Sequence, residues 1–244
     1  APDGKTIQDA IDEKTGVQVF SLYGKINKPT PEMLKNVDVL VFDIQDIGAR
    51  FYTFITTMFL TMEAAAENNI QFVVLDRPNP IRGMQIEGPI REDSLRSFVG
   101  WMPIPIAHGM TVGELATMAN EQGWLKNGVK ANLTVIKMNG WKRELWYDET
   151  SLRWIKPSPN MATLRTATVY PGMCLIEATN LSEGRGTEKP FEYIGAPCVN
   201  GEVLAKKLND QHLRGVQFQP ITFMPRDISG AAVNPKHKNI LCGG

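Results

Sequence analysis

Val39-Leu40-Val41-Phe42-Asp43-Ile44, the apolar stretch from Thr53 to Asn69, and Gln71-Phe72-Val73-Val74-Leu75-Asp76 decide the fold of this chain. Both flanking runs are short, continuous and rich in β-branched and aromatic residues, as strands buried on both faces of a parallel sheet are. The Ala- and Met-rich stretch between them is long enough for a helix of several turns. Strand, helix and strand in that order predict a βαβ unit, with a right-handed crossover expected. The polar segment Gln45 to Tyr52 loops from the first strand into the helix.

Upstream, Val17 to Tyr23 alternates in strand fashion, and Lys28-Pro29-Thr30-Pro31 breaks the chain. Thr30 is placed to cap a short helix with Pro31 at its first position. Downstream, two prolines keep Asp76-Arg77-Pro78-Asn79-Pro80 out of regular structure. Pro103 to Ile106 reads as a short extended piece. Thr111 and Glu114 form a capping-box signature for a helix to about Glu121, and Asn132 to Met138 reads as a further strand. Trp141 to Trp154 is aromatic-rich and irregular. Beyond Pro157 the texture changes to loops and short strands, with one clear helix near Glu202 to Leu208 and a strand from Val216 to Phe223. The expected fold class is α/β: a parallel-sheet part over residues 1–156, then a smaller α+β domain over 157–244.

Composition narrows the function. The 244 residues carry 26 Lys+Arg against 26 Asp+Glu, a formal net charge of zero. A dedicated nucleic-acid binder would show a basic excess. No apolar run approaches the roughly 20 residues that span a bilayer, so no transmembrane segment is expected. Cys174, Cys198 and Cys242 form no CxxC pair and no zinc spacing, so no metal is expected. The chain starts at Ala1 and stops abruptly at Gly244, and the expectation is a piece of a longer polypeptide.

In open parallel sheets ligands lie beyond the carboxyl ends of the strands. Two such ends carry dense polar sequence: Asp43 to Tyr52, with Asp46 and Arg50, and Asp76 to Pro80, with Arg77 and Asn79. These acids and arginines suit a polar anionic ligand and proton transfer, or they pair among themselves to hold the loops; both readings stand. A third segment is Pro157-Ser158-Pro159-Asn160-Met161. The fourth, Glu177 to Thr187, contains Asn180, Glu183 and Arg185 between glycines that allow close backbone approach, or it is only a turn. It is neither a Walker loop nor GxGxxG. His108, just before the capped helix, is a ligand contact or a satisfied loop histidine. Trp141, Trp146 and Trp154 form a wall for sugar stacking or pack internally. With no Gly-x-Ser-x-Gly elbow, a Ser-His-acid esterase is not supported.

These segments, in this order, resemble one family, the NamZ-type exo-β-N-acetylmuramidases, formerly a bacterial domain of unknown function. The resemblance rests on Asp43 to Thr53, Asp76 to Pro80, His108 to Leu115, Pro157 to Met161 and Thr179 to Thr187 followed by Pro190-Phe191-Glu192. Two departures are small: Ile81-Arg82 stands where small residues are usual, and Ala162 where Pro is expected. The resemblance implies a glycoside hydrolase that releases N-acetylmuramic acid from non-reducing ends of peptidoglycan fragments. It implies a Rossmann-like parallel sheet in the N-terminal domain, no cofactor, a secreted or periplasmic location, and a site in the cleft between that domain and the smaller C-terminal one. The catalytic candidates are Asp43, Asp46, Glu177 and Glu183. The substrate-binding candidates are Arg50, Tyr52, Asp76, Arg77, Asn79, His108, Asn160, Asn180 and Arg185. Family members also carry a Glu-His-Gly segment, upstream of the part matched here, whose Glu is the favoured acid. The chain alone is therefore expected to be poorly active. The alternative is a non-catalytic module that binds peptidoglycan or muropeptide ends.

Overall fold

The computed structural model describes residues 8–244; the first seven residues of the expected 1–156 domain lie outside them. The chain divides into two compact units, one running to Pro157 and the other comprising Ser158–Gly244.

The first unit is built on a three-stranded parallel sheet. Strands β1 (Ala10–Ile11) and β2 (Gln18–Val19) form a small antiparallel pair ahead of it. Then come β3 (Val39–Phe42), α1 (Phe54–Glu67), β4 (Gln71–Leu75), β5 (Ile86–Glu87), β6 (Ala107–His108), α2 (Val112–Glu121) and β7 (Asn132–Ile136). The sheet order is β3-β4-β7, with Val39 opposite Gln71 and Gln71 opposite Asn132. The α1 crossover between parallel neighbours is the βαβ unit that the apolar runs predict. Asn68 stops α1 by turning its amide back to the Ala64 carbonyl at 2.8 Å, and Asn69 follows at φ +56°. The Thr111–Glu114 capping box forms as expected, at 3.2 and 3.0 Å.

The sheet is one-sided, which corrects the expectation of strands buried on both faces. Phe42, Phe72 and Val74 pack with Met58, Phe59 and Met62 of α1 and Leu115, Ala116 and Ala119 of α2 in one core. The opposite face is turned outward: Val39 and Val41 are 43% and 58% exposed, and Ile136 is 52% exposed. A continuous apolar run therefore overstates burial when all the packed helices lie on one face. Two further expectations shrink. Val17 to Tyr23 pairs only at Gln18–Val19, because Ser21 N–H bonds the Asp9 carboxylate instead of a neighbouring strand. Thr30 does accept the Met33 N–H at 3.4 Å, but only a turn follows.

The second unit contains α3 (Leu164–Met173), a 3₁₀ turn (Cys174–Ala178), α4 (Gly201–Asn209) and an antiparallel pair, β8 (Thr222–Phe223) with β9 (Cys242–Gly243). Asn200 caps α4 by accepting the Val203 N–H at 3.1 Å. Helix α3 is a correction, since only α4 was expected here. Three β-branched residues and Pro171-Gly172 argue against a helix locally. Burial of Thr166, Ala167 and Tyr170 on one face overrides them, as does Thr163 accepting the Thr166 N–H at 3.1 Å. Tyr170 meets Phe191 edge-on at 4.8 Å. The strand expected from Val216 is reduced to Thr222–Phe223 because the backbone of Phe218 is claimed on both sides by the Asn209 amide, each bond 2.8 Å.

Candidate functional site

At the carboxyl end of β3 the chain turns into the loop 43–53, and segment 104–110 holds that loop from outside. Arg50 N–H donates to Ile106 carbonyl at 2.8 Å, and His108 N–H to Gly48 carbonyl at 3.2 Å. Asp46 is buried: its Oδ2 accepts Gly48 N–H at 2.7 Å and faces His108 Nε2 at 3.2 Å. Met110 N–H donates to His108 Nδ1 at 3.2 Å. A backbone donor on Nδ1 places the imidazole proton on Nε2, so the ring donates to Asp46. Buried Asn79 completes the frame, donating to Met110 carbonyl at 3.1 Å and accepting Ile81 N–H at 3.1 Å. Gly48 sits at φ +83° against the Asn79 amide oxygen, where a Cβ would collide. Asp46, Asn79 and His108 thus form one buried framework that shapes the loop.

Arg50 belongs to the same framework. It is 8% exposed, and its Nη1 donates to the carbonyls of Pro89, at 2.9 Å, and Ile104. Burial, and then nearby Arg91, pull its pKa below the usual guanidinium value. Tyr52 is buried edge-on to Phe54 at 4.8 Å. The accessible charge at this end is the pair Asp43–Arg77, whose side chains are 47% and 35% exposed. Arg77 grips one carboxylate oxygen with Nε at 2.7 Å and Nη2 at 2.5 Å.

Asp76 closes β4 and points elsewhere. It accepts Gly113 N–H at 2.8 Å, Thr111 hydroxyl at 2.9 Å and its neighbour Arg77 N–H at 3.1 Å. Burial nevertheless pushes its carboxyl above the usual carboxylate range. It lines a cavity of about 490 Å³ with Glu114, Thr117, Glu121, Lys137 and Trp141, a volume in the range of small-molecule sites. Of the three tryptophans, Trp141 lines this space. Trp154 instead packs edge-on to Tyr147 at 5.1 Å, and Trp146 carries the Arg82 guanidinium at 5.6 Å.

In the second unit, Glu177 is held by Arg185 through Nε at 2.9 Å and Nη2 at 2.8 Å. Their side chains are 35% and 20% exposed. Glu183 is buried beside them, 3.6 Å from Arg185 Nε and 3.1 Å from Lys236 Nζ. Cys174 Sγ lies 3.3 Å from Glu177, and burial, with the Glu177 charge behind it, pushes that thiol up to about 12. Asn180 is exposed, and its carbonyl meets His237 Nε2 at 2.8 Å. Asn160 is buried and donates to Ala231 carbonyl at 2.8 Å. Sequence reasoning missed Lys236 altogether, and no spacing or motif marks it. Among the described residues no group of three or more His, Cys, Asp or Glu is placed to hold a metal ion, and no helix is long and apolar enough to cross a membrane.

Comparison with known proteins supplies the family. Residues 1–165 match the model of the N-terminal region of exo-β-N-acetylmuramidase NamZ, and residues 168–244 match its C-terminal region. Over all 244 residues the chain is 54% identical to a Bacillus subtilis (strain 168) protein named peptidoglycan β-N-acetylmuramidase NamZ, and it spans 56% of that relative's length. Two crystal structures of DUF1343 family proteins from Bacteroides fragilis NCTC 9343 share the fold. One superposes at a TM-score of 0.89 with 47% identity, the other at 0.80 with 40%. Each match covers 96% of this chain and 59% of the other. With both family models matched along nearly its whole length, the chain belongs to the NamZ exo-β-N-acetylmuramidase family.

Proposed function

We propose that this chain is part of a glycoside hydrolase that releases N-acetylmuramic acid from the non-reducing ends of peptidoglycan fragments, outside the cytoplasm. The observation that carries the reading is a repeated arrangement. Each unit carries a partly exposed carboxylate–arginine pair and a buried, anchored carboxylate in the same segment: Asp43–Arg77 with Asp46 on the loop that follows Asp43, and Glu177–Arg185 with Glu183 at 3.6 Å from Arg185. The family and the named relative supply the substrate class.

Cleavage of a glycosidic bond needs a proton on the leaving oxygen and stabilisation of an oxocarbenium-like centre. N-acetylmuramic acid brings an acetamido oxygen that can assist, and Asp43 or Glu177 would polarise or orient it. Its lactyl carboxylate calls for a cation with a forked donor set, which is an arginine's chemistry. Arg50 is buried on backbone carbonyls, whereas Arg77 and Arg185 are partly exposed, and these two are the candidates. Asp46, Asn79 and His108 hold the loop that carries Asp43 in place.

The test uses the full-length protein and paired chromogenic glycosides of N-acetylmuramic acid and N-acetylglucosamine. Turnover should favour the muramic sugar. Arg77→Ala or Arg185→Ala should weaken its binding roughly ten- to hundredfold, since a charge-assisted contact is worth about 1.5–3 kcal/mol. The glucosamine sugar, which lacks the lactyl group, should change little. Binding of the muramic sugar without turnover would favour the non-catalytic module, and equal losses for both sugars at both arginines would remove the lactyl assignment.

A further inference from the structure

We infer that Lys236 is a positioning residue that fixes Glu177 and Glu183, the two candidate carboxylates of the second unit, from a single ammonium. Its Nζ donates to the carbonyls of Ile176 at 3.1 Å, Glu177 at 2.8 Å and Leu181 at 3.0 Å. Three protons meet three carbonyls, so the ammonium's donors are fully used. Glu183 Oε2, 3.1 Å away, is then held by charge, lying off any hydrogen-bond direction. The Ile176 carbonyl ends the Cys174–Ala178 turn, where it also accepts the Thr179 N–H at 3.0 Å and the Thr179 hydroxyl at 2.9 Å, and the Glu177 carbonyl follows it. Leu181 lies farther along, in the loop that leads to Glu183. One side chain therefore ties the backbone under Glu177 to the carboxylate of Glu183.

The neighbouring residues reinforce the clamp without duplicating it. His237 reaches the Asn180 carbonyl, in the same loop, at 2.8 Å. Arg226 N–H donates to Gly186 carbonyl at 2.9 Å, and Gly186 sits at φ +79° hard against the Arg226 carbonyl. Arg185 holds the Glu177 side chain but reaches Glu183 only at 3.6 Å. Among the described residues, Lys236 alone bridges these backbone carbonyls and Glu183. Its side chain is 31% exposed while that of Glu183 is 4% exposed, so the cation stands between solvent and a nearly buried acid. Removing it strips that acid of its nearer counter-charge and takes a donor from each of three carbonyls, of which Ile176 keeps its bonds from Thr179.

The inference rests on the proposed glycosidase reading only in giving Glu177 and Glu183 a catalytic context, and two readouts keep the ideas apart. In the full-length protein, Lys236→Ala should accelerate hydrogen exchange of the amides from Leu181 to Thr187 at least tenfold, leaving α4 unchanged. Ethylammonium, which refills the vacated space with a charge, should restore protection. On a muramic-acid glycoside the same variant should lose at least tenfold in kcat with KM within about threefold, and ethylammonium should recover part of the rate. Unchanged exchange overturns the positioning role whatever the activity. A wild-type protein inactive on the glycoside sinks the glycosidase reading but leaves the exchange result standing. A loss that ethylammonium does not relieve means a general structural role and also overturns it. Should the alanine variant fail to fold, Lys236→Arg keeps the charge but presents a planar fork to the same carbonyls. It should show the same direction of change, and wild-type exchange and kcat in that variant would count against the clamp.

Discussion

Phe72→Ala should cost about 3–5 kcal/mol of stability, while Val41→Ala on the neighbouring strand should change it by less than about 0.5 kcal/mol. Phe72 is fully buried at the centre of the sheet, between the strands and the α1 and α2 helices, and its removal leaves a cavity that close-packed neighbours cannot fill. Val41 lies on the adjacent strand with its side chain turned outward. All five tryptophans precede Pro157, so their fluorescence during urea unfolding reports on the first unit by itself. Similar shifts for the two variants would mean that the outer face of the sheet is covered in solution.

Asp43→Asn in the full-length protein should lower turnover of a muramic-acid glycoside about a hundredfold, the lower end of what a positioned proton-transfer or charge-stabilising group contributes. Asp46→Asn should act differently. It leaves the Gly48 and His108 donors facing a group with half the acceptor capacity, which should destabilise the loop by about 1–3 kcal/mol. Turnover per folded molecule would fall less than for Asp43→Asn. Steady-state kinetics beside thermal unfolding separates the two effects. If Asp43→Asn keeps full activity, the accessible pair at the end of β3 binds or braces but takes no part in the chemistry.

Much of the first unit was legible because its signals are local. The Thr111–Glu114 box closes within one turn of helix, and the βαβ rhythm from Val39 to Asp76 needs only neighbouring residues. What could not be read was decided at long range. Arg50 and Arg77 look alike in sequence. One is consumed by carbonyls 39 and 54 residues away, and the other meets a partly exposed carboxylate. The outward turn of Val39 and Val41 depends on which side the helices pack, which a run of valines cannot state. Helix α3 hides behind Pro171-Gly172 because burial of its inner face outweighs propensity. The pairing of Glu177 with Arg185 is short-range, eight residues apart, and its segment stood out as polar. Lys236 reaches the same cluster from nearly 60 residues on and left no trace in spacing.

The thiol beside Glu177 has a practical consequence. With its pKa raised to about 12, Cys174 is almost wholly protonated at neutral pH, and the neutral thiol is a poor nucleophile. Cys242 is fully buried, and burial raises it too. Cys198 alone of the three is exposed, at the surface of the second unit. Iodoacetamide at pH 7.5 should therefore add a single adduct to these 244 residues when folded and three in denaturant, read by intact mass. A second adduct on the folded chain would show that the pocket of Cys174 or of Cys242 opens. If the count holds, the native chain already offers one addressable point for a dye or spin label, and distances from that point can be measured without removing either of the other cysteines.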